Sequence, residues 1–241
     1  MASKEGKRDL ADDSSTAAST TAPRETGAGT ATTHDVKSAS HASGGRGLGT
    51  LDALLEECGR LHGHMCAGQL LGARMAVVGC REVGIEDPRG ADRKKLVVWV
   101  EIDRCMADAV GAVTGVRLGK RSLKYFDYGK VAATFLNTET NMAVRVVALE
   151  ESRALADARH LEIESKKERQ FKTYREASDE ELFKVERVAV EYKETDAPGR
   201  PLSRVRCARC GEGVNDGREV RGGDGLTLCR PCASGGYYRR L

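Results

Sequence analysis

Leu96-Val97-Val98-Trp99-Val100-Glu101-Ile102 is a near-continuous apolar run, the pattern of a strand buried on both faces. Around it the hydrophobic period changes. Upstream, Leu51, Leu54, Leu55 and Cys58 recur at helical spacing, with Gly59 and Gly63 closing that helix. A second helical pattern covers 66–83, where Leu70, Leu71, Met75, Val77 and Val78 are apolar. Pro88-Arg89-Gly90 then breaks the chain ahead of the strand. Downstream, a short helix is expected over 106–114 and a loop over 115–122. Three β-rich runs follow at 123–128, 130–137 and 142–149, with turns at Gly129 and at Thr138-Glu139-Thr140-Asn141. A charged helical stretch covers 150–176. Ser178-Asp179-Glu180-Glu181 reads as a capping box, and 184–192 alternates like a half-buried strand. Helices and strands in this mixture predict an α+β core with a mixed or antiparallel sheet and packed helices.

The chain has 241 residues, 40% hydrophobic and 31% charged, enough for one sizeable core and a small module. Its formal charge of +3 is too balanced to imply nucleic acid by itself. The charge is uneven, because the segment 199–241 carries nine Arg and four acidic residues. The opening residues lack the apolar core of a secretory signal, and no stretch approaches the ~18 apolar residues of a membrane helix. Residues 1–47 are rich in Ser, Thr, Ala and Gly, with few large apolar side chains, and are expected to be disordered. The expected organisation is a tail over 1–47, a core domain over 48–197 and a zinc module over 198–241, with Ala197-Pro198-Gly199-Arg200-Pro201 as linker.

Eight cysteines are present, and their spacing favours metal over disulfides in a reducing cytoplasm. Cys207-Ala208-Arg209-Cys210 and Cys229-Arg230-Pro231-Cys232 form two Cys-x-x-Cys pairs. Two-residue spacing lets both thiolates of a pair reach one ion, and two pairs complete the tetrahedral shell of structural zinc. With all four ligands from protein, no position remains there for chemistry, and so small a module is expected to fold only around its metal. The arginines of this segment invite a nucleic-acid reading, but its aromatic residues are limited to Tyr237 and Tyr238 and no helix has base-reading spacing. A solvated basic face or a protein-docking surface is the better account.

His62-Gly63-His64-Met65-Cys66-Ala67-Gly68 is a different kind of cluster. On an extended stretch, His62, His64 and Cys66 project from one face, just before a helix whose N-terminus lowers the pKa of a thiol. Cys105, after the buried strand, is a fourth candidate ligand. Asp103 and Asp108 flank it, placed to orient a histidine or handle protons. A ligand set of two His and one or two Cys leaves a position open to water or substrate, as in catalytic zinc sites. The second metal is therefore expected to be a divalent transition ion, zinc by donor type. Cys58 and Cys80 sit on apolar helix faces and read as core.

With these residues in view, the chain resembles the FmdE family of formylmethanofuran dehydrogenase. The matching stretches are His62 to Gly68 with Leu71-Gly72-Ala73-Arg74-Met75-Ala76, Asp103-Arg104-Cys105 with Asp108-Ala109-Val110, Thr114-Gly115, Gly119-Lys120, and Phe126-Asp127-Tyr128-Gly129-Lys130. Asp179 to Phe183 and the four-cysteine module agree as well. The resemblance implies an α+β core with an appended treble-clef zinc finger, a homodimer, and a metal cleft formed by His62, His64, Cys66 and Cys105. It places Asp103, Asp108, Lys120 and Tyr128 near that cleft, the last two as cofactor-binding residues. It further implies a link to the molybdenum or tungsten enzyme that makes formylmethanofuran from CO2 in methanogenesis. The chain departs from the family pattern in three places: Ala67 stands where Pro is usual, Val116 where Cys follows Thr-Gly, and Arg121-Ser122 where Gly-Asn follows Gly-Lys.

The expected function is a metal-binding protein of one-carbon redox metabolism acting on a small molecule. The alternatives are an accessory or metal-handling subunit docking on the molybdenum or tungsten enzyme and, behind it, a nucleic-acid-binding regulator.

Overall fold

The computed structural model of the chain describes residues 47–239 and Leu241, so the tail expected over 1–47 lies, save Gly47, outside the described residues. The first helix, α1, spans Leu51–His62. Thr50 caps it by accepting a 3.3 Å hydrogen bond from the Ala53 N–H, and Gly63 closes it at φ 87°. Helix α2 spans Ala67–Glu82 and helix α3 spans Cys105–Thr114. Between them runs β1, Leu96–Val100. It is followed by β2 at Leu123–Tyr125, β3 at Ala132–Asn137 and β4 at Met142–Ala148.

The charged stretch forms two helices, α4 at Glu151–Ala158 and α5 at Lys166–Glu176. The expected capping box is made: Ser178 and Glu181 exchange side-chain to backbone hydrogen bonds at the start of α6, Asp179–Leu182. Strand β5, Phe183–Arg187, ends sooner than its alternation predicts. The reason is the edge position: β5 pairs only with β4, and Tyr192 beyond it leaves the ladder to meet the Trp99 ring edge-on at 6.1 Å.

The five strands form one mixed sheet in the order β2-β1-β3-β4-β5, with β1 and β2 parallel and the other pairs antiparallel. Register aligns Val98 with Phe135 and Phe135 with Val144; the neighbouring row aligns Val100, Ala133 and Val146. These side chains belong to the core beneath the helices. The opposite face carries Trp99 and the buried carboxylate of Glu101, which accepts two hydrogen bonds from Arg145 at 2.6 and 2.7 Å. Strand β1 is thus covered on both sides, as its apolar run requires.

Helix α2 is the hub, packed against α1, α3, α5 and the sheet. Gly72 makes its approach to α3 possible, since a Cβ there would lie 2.7 Å from the Met106 backbone and 2.9 Å from Ala109. Cys58 and Cys80 are buried as expected, and burial pushes their thiols up to about 11 and about 12.

The C-terminal segment contains a hairpin of β6, Arg204–Arg206, with β7, Gly213–Asn215. It is followed by β8, Val220–Arg221, paired with β9, Thr227–Leu228, and by helix α7, Arg230–Ser234. Among the described residues no helix is long and apolar enough to cross a membrane.

Candidate metal centres

In the core, three helix ends converge. His62 is the last residue of α1, Cys66 precedes α2 in an extended conformation, and Cys105 opens α3 directly after β1. Their ligand atoms lie within 4.8 Å of one another. Both thiols therefore sit at helix N-termini, where backbone N–H groups and the helix dipole favour negative charge. The histidine arrives by a route that alternation along a strand does not describe. Gly63 takes a left-handed conformation, its N–H bonds the Gly59 carbonyl at 2.9 Å, and the chain turns between the two ligands. His64 accordingly stands outside the trio, exposed, with its ring centroid 4.7 Å from that of His62.

The neighbourhood holds the trio in place. Asp108, one turn into α3, meets His62 Nδ1 at 2.7 Å, a carboxylate orienting an imidazole. Gln69, fully buried, donates from Nε2 to the Cys105 carbonyl at 2.6 Å. Gly68 leaves the room: a Cβ there would lie 3.2 Å from Cys105 Cβ and 3.7 Å from Cys66 Sγ. Burial, reinforced by the adjacent Cys66 thiol, raises the Cys105 pKa above the ordinary thiol value.

Two cavities meet at Cys105. One, of about 420 Å³, is lined by His62, Asp103, Asp108 and Tyr125; the other, of about 260 Å³, by Gly68, Leu71, Arg153 and Tyr174. Arg104 lines both. Tyr125, which no sequence motif singles out, has its hydroxyl pKa raised by partial burial and by the nearby Asp103 and Asp127 carboxylates. Its signal in the sequence is a β-run, in which Tyr125 pairs with Val100 at the end of β1. Tyr128 lines neither cavity; it is exposed and packs on Phe126 at 6.1 Å. Lys120 lines a separate cavity of about 600 Å³ beyond α3.

At the other centre, Cys207, Cys210, Cys229 and Cys232 bring all four sulfurs within 4.8 Å of one another, and all are free thiols. Cys210 Sγ and Cys229 Sγ are 3.8 Å apart, which is about the edge of a tetrahedron with metal–sulfur bonds of ~2.3 Å. Gly211, at φ 75°, closes the first knuckle with a 2.9 Å bond to the Cys207 carbonyl. Backbone N–H groups of Cys210 and Cys229 directed at Cys207 hold its thiol down at about 6. The second pair flanks the start of α7. Knuckle, hairpin and helix in this order fit a zinc module, and the cluster could hold a metal ion.

The family model described as "FmdE, Molybdenum formylmethanofuran dehydrogenase operon" matches residues 61–184, from the end of α1 into β5. The chain belongs to the FmdE family. A similar relative is the "Probable S-adenosyl-L-methionine-binding protein" of Archaeoglobus fulgidus, 32% identical over 204 residues, covering 78% of this chain and 54% of the relative. The chain thus spans about half the length of that curated relative. Among solved structures, a tungsten formylmethanofuran dehydrogenase FmdE-like protein from Syntrophus aciditrophicus shares the fold. Its TM-score is 0.52 at 24% identity, over 78% of this chain and 95% of that one. The FmdE match covers all three members of the core trio together with Asp108 and Gly68.

Proposed function

We propose that this FmdE-family chain is a two-metal protein of one-carbon redox metabolism of the formylmethanofuran type. In this reading His62, Cys66 and Cys105 hold a divalent transition metal, zinc by donor chemistry, and the four C-terminal cysteines hold a structural zinc. The convergence of one imidazole and two thiols within 4.8 Å, with the imidazole held by Asp108, is the observation that carries it. With Nδ1 engaged by Asp108, Nε2 is the ring nitrogen left for an ion. Three protein ligands leave one position for a small molecule entering through the 420 Å³ cavity.

A bound ion there would supply Lewis acidity toward a carbonyl or carboxylate oxygen. The chain's own groups supply the rest. Asp103 and Tyr125 form a proton-handling pair on the cavity wall, and Arg104 offers a cation to an anionic substrate. Lys120 and Tyr128 have no place in this arrangement. The division into a core over 48–197 and a zinc finger over 198–241, the homodimer and the cytoplasmic location remain part of the proposal.

A second reading, an accessory that docks on a molybdenum or tungsten enzyme, is favoured by one feature: Arg204, Arg206, Arg209, Arg221 and Arg230 are all exposed on the zinc module. Metal content per chain separates the structural basis of the two. Wild-type protein purified without added metal should carry about two ions, and Cys66→Ser with Cys105→Ser about one, the C-terminal ion being retained. About one ion in both proteins would refute the core centre and leave the accessory reading.

A further inference from the structure

Beyond the far end of α3 lies a cavity of about 600 Å³ whose lining includes Arg89, Arg93, Lys94, Arg117, Lys120 and Arg121 and no acidic residue. Two of these cations are committed to the fold. Arg89 donates to the Ala112 and Val113 carbonyls, covering the negative end of α3, and Arg121 is bonded to Asp216 and the Thr195 carbonyl. Arg93, Lys94, Arg117 and Lys120 are exposed, and among the described residues their side chains make no hydrogen bond or ion pair. The charge of Arg117 is felt at Glu57, which is itself bonded to Arg60. The wall that carries Arg117 and Lys120 is shaped in advance: Lys120 N–H and Leu123 N–H both bond the Arg117 carbonyl at 3.2 Å, and Arg117 N–H bonds Ser122 Oγ at 3.1 Å.

The geometry points to a binding site for the phosphates of a small polyphosphate-bearing molecule, whose other end runs along α3 toward the core trio. Concavity and volume are those of a small-ligand pocket, and uncommitted cations around one cavity match a di- or triphosphate. No aromatic side chain lines the cavity, so it lacks the stacking platform of a single-strand nucleic-acid groove. The cavity does not stand alone. A second, of about 350 Å³, shares Arg117 with it and shares Ala107, Asp108, Leu118 and Leu123 with the cavity at the trio. Through these shared residues the three cavities follow one another along α3, whose ten residues measure about 15 Å from Cys105 to its far end. The phosphate subsite stands by itself; the extension to the trio rests on the proposed metal chemistry.

Calorimetric titration of the full chain with inorganic pyrophosphate and with ADP tests it, using wild type, Arg117→Gln with Lys120→Gln, and Cys105→Ser. Both probes should bind wild type, the Arg117/Lys120 variant should bind them at least about tenfold more weakly, and Cys105→Ser should keep its pyrophosphate affinity. An unchanged unfolding midpoint and C-terminal metal content in the double variant show that the fold is intact. Absence of pyrophosphate binding, or equal binding by the double variant, would overturn the subsite. Binding of a single-stranded oligonucleotide without pyrophosphate binding would replace it by a nucleic-acid surface. With cobalt in the core centre, ADP but not pyrophosphate should shift the visible absorption; an insensitive spectrum would overturn the extension. Failure of cobalt to bind at all would instead count against the proposed metal centre.

Discussion

Arg121 donates a 2.7 Å hydrogen bond to Asp216, 95 residues away, and both residues occupy the left-handed region of backbone space, at φ 61° and 56°. Neither is glycine, so each holds a conformation that costs roughly 1–2 kcal/mol. The pair joins the loop before β2 to the turn after β7, tying the four-cysteine module to the sheet. The resemblance noted in the sequence puts Gly at this position, which would suit the φ without strain. Here a side chain occupies the strained position and supplies the tether.

Arg121→Gly should therefore relieve the backbone and release the module. Limited proteolysis in the segment 197–203 should accelerate severalfold while the C-terminal metal content stays unchanged. An unaltered cleavage rate would show that the contacts of Lys124 and Arg218 with Thr195 and Asp196 suffice alone.

Asp108→Asn keeps a partner for His62 but removes the charge that orients and strengthens the imidazole. The core centre should lose about 10- to 100-fold in metal affinity, with the C-terminal centre unaffected. Competition with a chelating dye reads both sites in one titration, and equal losses at both would argue for a general destabilisation.

Asp179 accepts hydrogen bonds from Arg74 at 2.6 Å and Arg81 at 2.9 Å. Burial raises its pKa, but the two guanidinium groups more than offset this and hold the carboxyl below the ordinary range. A depressed folded pKa contributes stability that is present above the unfolded value and lost as pH falls through the folded one. Urea unfolding between pH 7 and pH 3 should show wild type weakening as pH drops below about 4, and Asp179→Asn should show a shallower decline over that range.

Gly72→Val places a branched side chain where a Cβ already meets the Met106 backbone at 2.7 Å. The α2–α3 contact must open, at about 2–3 kcal/mol or more by denaturant unfolding. Because Cys66 and Cys105 ride on these two helices, core metal affinity should fall in the same variant. Loss of stability with metal affinity intact would mean that the trio is positioned by the helix ends independently of the crossing.

Much of this architecture is legible in the chain itself. Thr50 and Gly63 bound α1, the Ser178–Glu181 capping box opens α6, and the run 96–102 supplies the interior strand β1, because caps and hydrophobic period act through near neighbours. Cys207, Cys210, Cys229 and Cys232 are legible for the same reason, their pairs being preset by two-residue spacing. An extended stretch would group His64 with His62 and Cys66, but the helix end at Gly63 separates it from the trio. Resemblance puts Tyr128 and Lys120 at the cleft, whereas Tyr128 is exposed outside the lining of the trio cavity and Lys120 lines the cavity at the far end of α3.

The sequence by itself determined most helices of the core, the runs that become β1 to β4, the capping box and the local cysteine pairs, since each depends on residues within one or two turns of one another. Only the tertiary structure decided which distant groups meet: Cys105 with His62 and Cys66, Asp108 with His62, Arg121 with Asp216, and four uncommitted cations around one cavity. Those meetings follow from how α1, α2 and α3 cross over a twisted sheet. That geometry is set by the summed packing of many small and branched side chains, and no local pattern encodes it.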